Sequence, residues 1–347
     1  FLKGNFSILL VLVSLIMGAG ALFLTPREED PQIVVPVADV FIQMPGASAR
    51  EVERQIATRL EKLLYQIDGV EYVYSTSFEG MAMVTVRFYV GQDREDSWVK
   101  LYNKISANVD QVPQGVTGWV VKPVEIDDVP IVNLTLYSDR YGDFELRRMA
   151  EELEIRLQSV KNTGRTYVAG GRPRQITVAL SPVLMAGRGV CLDDLQRALT
   201  GANASVPAGE VTAQDRQIEI KAGRFLKTAS EVEDLVVAVR DQRPVYLKEV
   251  ATVTDGPAEP GTYTRIAFGP QAFGYADPAA HGAAMPAGLV QGEDYPAVTV
   301  AVAKRKGTNA VTVAEQVLEE AGRFAEQVLP DGVYVRTTRN FGHTANE

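Results

Sequence analysis

One cysteine and two histidines in 347 residues exclude several kinds of chemistry. A lone Cys191 forms no disulfide within the chain and no thiolate metal cluster; in "GRGVCLDDL" it reads as a small core residue. His281 and His343 stand far apart with no His or Cys at ligand spacing, and the methionines of "MAM" at 81–83 read as strand packing. Positive charge is also in deficit. Against 44 Asp and Glu there are 35 Lys and Arg, a net −9, which argues against nucleic acid, whose phosphates need clustered cations. A Gly-rich phosphate loop, a nucleophile elbow and a metalloprotease helix are all missing. Neither covalent catalysis nor a cofactor is expected.

Between Lys3 and Arg27 there is no charge at all. Phe6 to Leu24 is a run in which only Ser7 and Ser14 are polar. As a helix it would be roughly 28 Å long, close to the ~30 Å of a hydrocarbon core. A secretory signal peptide cut at "GAGA" (18–21) would leave Leu22, Phe23 and Leu24 unexplained, and a core helix would normally carry a polar face. The preferred reading is an uncleaved transmembrane helix within 1–30. Lys3 places its N-terminus inside and the bulk of the chain outside. Opening on Phe1 and ending at Glu347 within "FGHTANE", the chain reads as a fragment.

Beyond the apolar run, one unit recurs. Residues 38–75 read as an alternating strand, a capping box (Ser48 with Glu51), a helix and a second strand. The helix would pack through Val52, Ile56, Leu60, Leu63 and Ile67. The order returns at 81–124 (Trp98, Tyr102, Ile105, Val109), at 130–171 (Leu146, Met149, Leu153, Leu157) and at 296–338 (Val313, Val317, Phe324, Val328). Each β-α-β unit covers one face of a sheet and needs a partner. The adjacent first two pair as 37–126. The last two, 127–170 and 259–338, pair across an insert, 171–258, whose expected elements are strand "RQITVAL", helix "LDDLQRALTGA", strand "RQIEIKA", helix "TASEVEDLVVAV" and strand "RPVYLKEVATV". Irregular spacing disfavours a solenoid. The Ala-, Gly- and Pro-dense stretch 267–295 reads as a surface loop. The fold class is α+β: one transmembrane helix, then two split β-α-β (ferredoxin-like) units, the second interrupted by an α+β insert.

Five ordered segments, "TPREEDPQI", "MPGASAREVE", "GVEYVYSTS", "KPVEIDDVPI" and "GTNAV", resemble the N-terminal half of a resistance-nodulation-division (RND) efflux permease of the hydrophobe/amphiphile exporter type. The resemblance implies that 37–126 is a first porter subdomain, 127–170 with 259–338 a second, and 171–258 a docking subdomain. Residues 339–347 would begin a helix toward the next span. It further implies a homotrimer in the bacterial inner membrane, with the bulk in the periplasm and a periplasmic adaptor and an outer-membrane channel as partners. Proton flow through residues beyond Glu347 would drive export of small amphiphilic substrates.

By the same resemblance, Val129 and Ala169 stand where multidrug members carry phenylalanines. Val132 and Tyr263 match two further lining positions of the substrate pathway. An inter-subunit arm would involve Ser205, Pro207, Gly209, Val211, Asp215 and Arg216, within a trimer contact over 202–216. A membrane-anchored periplasmic binding or sensor module, and a heavy-metal or protein-export relative, are the alternatives.

Overall fold

The computed structural model describes residues 5–25, 27–28, 33–213, 216–223, 225–240, 242–269, 290 and 292–345. The first element is the helix Asn5–Leu24, whose described side chains from Ile8 to Met17 face outward; Leu15, for example, is 70% exposed. Among the described residues no helix is long and apolar enough to cross a membrane.

The first sheet holds β1 (Val37–Gln43), β2 (Val70–Phe78), β3 (Met81–Phe88) and β4 (Gly118–Val124), in the antiparallel order β2-β3-β1-β4. Strict alternation puts Ala38, Val40 and Ile42 beside Ala82, Val84 and Val86 on one buried face. Two helical segments cover that face. Residues 49–64 open with the capping box: Ser48 N and Oγ both donate to Glu51 Oε2, at 2.9 and 2.7 Å, and hold the Glu51 carboxyl below its ordinary pKa.

A π turn, Glu53–Ala57, interrupts this helix. The wider turn rotates the helical residues after it, so that Leu64 rather than Leu63 reaches the core. The second helix, Arg94–Ser106, packs through Leu101, Trp98 and Ile105, whereas Tyr102 and Val109 are exposed. The expected face was displaced because the buried stripe centres on Ser97 and Leu101 and the helix stops before Val109.

In the second sheet β14 (Asp294–Lys304) pairs with β5 (Val132–Ser138) along one edge. Along its other edge it pairs with β6 (Thr163–Ala169) and β13 (Arg265–Ala267). The strand β15 (Val333–Asn340) lies against β5. Counting only β5, β6, β14 and β15 within their own sheet, the order is second, third, first, fourth, as in the first sheet. The helices Asp143–Gln158 and Ala310–Gln327 cover one face, burying Leu146, Leu153, Leu157, Val313, Val317 and Phe324 against Leu134, Leu136 and Val300.

Between the halves of this sheet, β7 (Arg174–Leu180) pairs with β12 (Ala251–Pro257). A hairpin of β8 (Val206–Ala213) and β9 (Arg216–Ala222) pairs only with itself among the described residues. The stretch expected as one helix over 228–239 is a helix only at Ala229–Glu233. Its β-branched remainder is the strand β10 (Val236–Arg240), paired with β11 (Arg243–Tyr246). Cys191 is exposed rather than buried. It caps the helix Leu192–Ala202, its Sγ 3.1 Å and its N 3.2 Å from Asp194 Oδ2.

Candidate functional site

Helices cover only one side of the second sheet, and period-two alternation sends the intervening side chains to the other. On that far face β14 offers Ala297, Thr299 and Ala301, β5 offers Asn133, Thr135 and Tyr137, and β15 offers Tyr334 and Arg336. Three hydroxyls join across the strands: Thr135 Oγ1 lies 2.8 Å from Thr299 Oγ1 and 3.1 Å from Thr338 Oγ1. Beside them Asn133 Oδ1 is buried without a hydrogen-bond donor among the described residues. An orphaned buried acceptor costs on the order of 1–3 kcal/mol, so a donor brought by a ligand would be favoured there.

Next to this ladder sits an aromatic cluster. Tyr137 lies 5.2 Å from Phe268 and 5.6 Å from Tyr334, ring to ring, and the Arg336 guanidinium stands 5.3 Å from the Phe268 centroid. Burial pushes the Tyr137 phenol up to about 12, with Arg336 opposing the shift. The ring is therefore a neutral hydroxyl through the physiological range. The segment that carries Phe268 is closed at its base, where Gly292 N donates to Phe268 O at 3.0 Å and Val290 N to Tyr295 Oη at 2.8 Å. Most of the expected loop, 270–289 with His281, lies outside the described residues.

The residues singled out from sequence divide between locations. Ala169, exposed at the end of β6, lies opposite Thr299 on the far face. Tyr263 is 75% exposed. Its neighbour Thr264 lies at the same edge, where a Cβ on Gly170 would stand 2.3 Å from Thr264 Oγ1. Val129, half-buried, comes just after the short turn Ile126–Asp128 and donates its N–H to Ile126 O at 3.1 Å. Val132 faces the helices and is fully buried with Leu134 and Leu136, on the side away from Ala169. Of the arm residues, Ser205 and Gly209 are exposed near the base of the hairpin, Pro207, Val211 and Arg216 lie on its strands, and Asp215 falls outside the described residues. The aromatic cluster was missed. Its only sequence signal was tyrosine at alternating positions in "LTLYS", "DYPAV" and "VYVRTT".

A second built feature sits where the chain passes from one sheet to the other. Lys304, 6% exposed, places Nζ 2.9 Å from Glu28 Oε2 and 3.9 Å from Asp127 Oδ1, while Ala310 N donates to Arg27 O at 3.0 Å. The residues just beyond the N-terminal helix are thereby fastened to the second sheet. Among the described residues no three His, Cys, Asp or Glu side chains converge as for a metal ion.

The AcrB/AcrD/AcrF family model matches residues 3–272. The chain is similar to multidrug resistance protein MdtC of Pectobacterium carotovorum subsp. carotovorum, with 30% identity over 251 residues. It is 31% identical over 251 residues to MdtC of Cronobacter sakazakii. With MdtC of Photorhabdus laumondii subsp. laumondii the identity is 30% over 252 residues. These alignments cover 72%, 72% and 71% of this chain and 24% of each relative, so the chain spans about a quarter of the length of the curated relatives it matches.

Proposed function

The chain belongs to the AcrB/AcrD/AcrF family, and from that membership we propose that it is the N-terminal part of a proton-driven pump that exports amphiphilic small molecules. The observation that carries the reading is the far face of the second sheet. There, small side chains, a hydroxyl ladder, a bare carbonyl acceptor and an aromatic cluster adjoin one another with no reactive group among them. Such a surface holds an apolar ring and one or two donors without altering them. Ala169 and Val129 contribute little stacking, so substrate contact shifts toward the tyrosines.

In this reading 37–126 and the pair 127–170 with 259–338 are two ferredoxin-like porter subdomains, 171–258 is a docking subdomain, and 339–347 leads toward another span. The shared strand order supports it, as does the pairing of β5 with both β14 and β15 across the insert. The apolar run Phe6–Leu24 serves as the inner-membrane anchor, with the bulk of the chain in the periplasm; the described side chains of the helix Asn5–Leu24 make up only part of that run. Its support is the outward-facing apolar side chains, which only lipid or other spans would satisfy. The protein acts as a homotrimer with an adaptor and an outer-membrane channel.

Reconstituted in proteoliposomes under an imposed pH gradient, the intact protein should show proton flux that rises severalfold on addition of an amphiphilic dye. Flux indifferent to the dye would sink the export reading. An isolated two-stranded hairpin is only marginally stable in water, which supports β8–β9 as a trimer contact over 202–216. With Glu210→Cys in a Cys191→Ser background, a short bifunctional maleimide should yield interchain dimers in the membrane-embedded protein. Complete maleimide modification of the introduced cysteine without any interchain dimer would count against the arm.

A further inference from the structure

A cavity of about 450 Å³ lies beside the π turn, on the helix side of the first sheet, between residues 55–66, Leu60 and Leu63 included, and residues 105–119. Its floor is apolar: Val40 and Ile42 from β1, Ile56 from the π turn itself, and Ile105. The connection after Ser106 closes one side with Val112, and β4 adds Trp119 at the edge, the two being 37% and 38% exposed. That connection is braced. Asn108 Nδ2 donates to Lys104 O at 2.8 Å, Gln111 Nε2 to Asn108 Oδ1 at 3.0 Å, and Thr117 N to Gln43 O at 3.0 Å.

The rim is charged in one sense only. Arg59 and Lys62 border the cavity, and among the described residues no Asp or Glu does, in a chain whose acidic residues outnumber its basic ones. Neither cation has an ion-pair or hydrogen-bond partner among the described residues. Two unneutralised cations over an apolar floor complement a ligand with one anionic head and one apolar tail, and the volume falls in the range of small-molecule sites, about 300–1,000 Å³. A π turn beside such a site fits the tendency of these insertions to occur where function requires them.

We propose that this cavity binds an amphiphilic monoanion, with its carboxylate or sulfonate on Arg59 and Lys62 and its tail against Ile42, Ile56 and Ile105. The site stands on the first sheet alone and does not depend on the export reading, because occupancy is read without transport.

The test is photolabelling of the intact protein in nanodiscs of zwitterionic lipid, using a twelve-carbon carboxylate that carries a diazirine in its tail. Saturable labelling of 40–66 or 105–119, competed by dodecanoate, is expected. Arg59→Gln with Lys62→Gln should reduce it at least tenfold, as should replacing the carboxylate by an alcohol. Both side chains are exposed, so the double variant keeps the fold. Ile105→Trp, which fills the floor and leaves the charges in place, should abolish labelling equally. No saturable labelling in these segments, or labelling indifferent to the charge variants, would overturn the proposal.

Discussion

Gly171→Ala lowers the stability of the second sheet by roughly 3 kcal/mol or more, through two separable costs. The residue sits at φ +66°, a left-handed conformation that charges any L side chain about 1–2 kcal/mol. In addition, a Cβ there would stand 2.7 Å from Asp143 O and 2.8 Å from both Arg147 Cβ and Val298 Cγ2. The first is backbone at the start of a helix and the last is core, so neither can yield cheaply. Gly307→Ala is the control, since Gly307 has φ +73° with nothing within 4 Å of the added methyl. Thermal unfolding of the intact protein, with limited proteolysis at 170–174, should show Gly171→Ala several degrees below Gly307→Ala. Equal transitions would mean that the close packing of this junction carries no weight.

The second large effect falls at Lys304. Breaking a buried ion pair by removing one partner typically costs about 3–5 kcal/mol, because the remaining charge keeps its desolvation penalty. Lys304→Met should cost that much, since Glu28 and Asp127 would then face each other across an apolar side chain. Adding Glu28→Gln and Asp127→Asn should recover most of the loss, and chemical denaturation of the three-fold variant beside the single one checks it. A triple variant no more stable than Lys304→Met would show that the lysine acts by packing rather than charge. This one ammonium joins the residues beyond the N-terminal helix, the passage between sheets and the strand β14.

The features visible in the sequence were those that are local or periodic. The capping box at Ser48, the stripes of Asp143–Gln158 and Ala310–Gln327, and the alternation of β1 and β3 each come from spacing, and each lies where expected. The misses arise where distant packing decides. Residues 236–239 read as helix by continuity, yet this valine-rich stretch pairs with β11. The π turn keeps an ordinary helical sequence and betrays itself only in the exchange of Leu63 for Leu64. The far-face cluster unites Tyr137, Phe268, Tyr295 and Tyr334, which no short window contains. Even the hydroxyl ladder links Thr135 to a partner 164 positions onward.

That separation sets a schedule for biosynthesis. The first sheet has all its strands once the ribosome passes Val124, whereas β5 must wait for β14 and β15 while the whole insert is made. At roughly 5–20 residues per second, the wait between Ser138 and Asp294 lasts on the order of ten to thirty seconds. Throughout it β5, flanked by neither of its lateral neighbours, is a sticky ribbon in search of any edge. Newly made chains of this protein are therefore most exposed to misassembly in that interval, and a holdase that shields β5 would raise the yield more than one acting on the finished polypeptide.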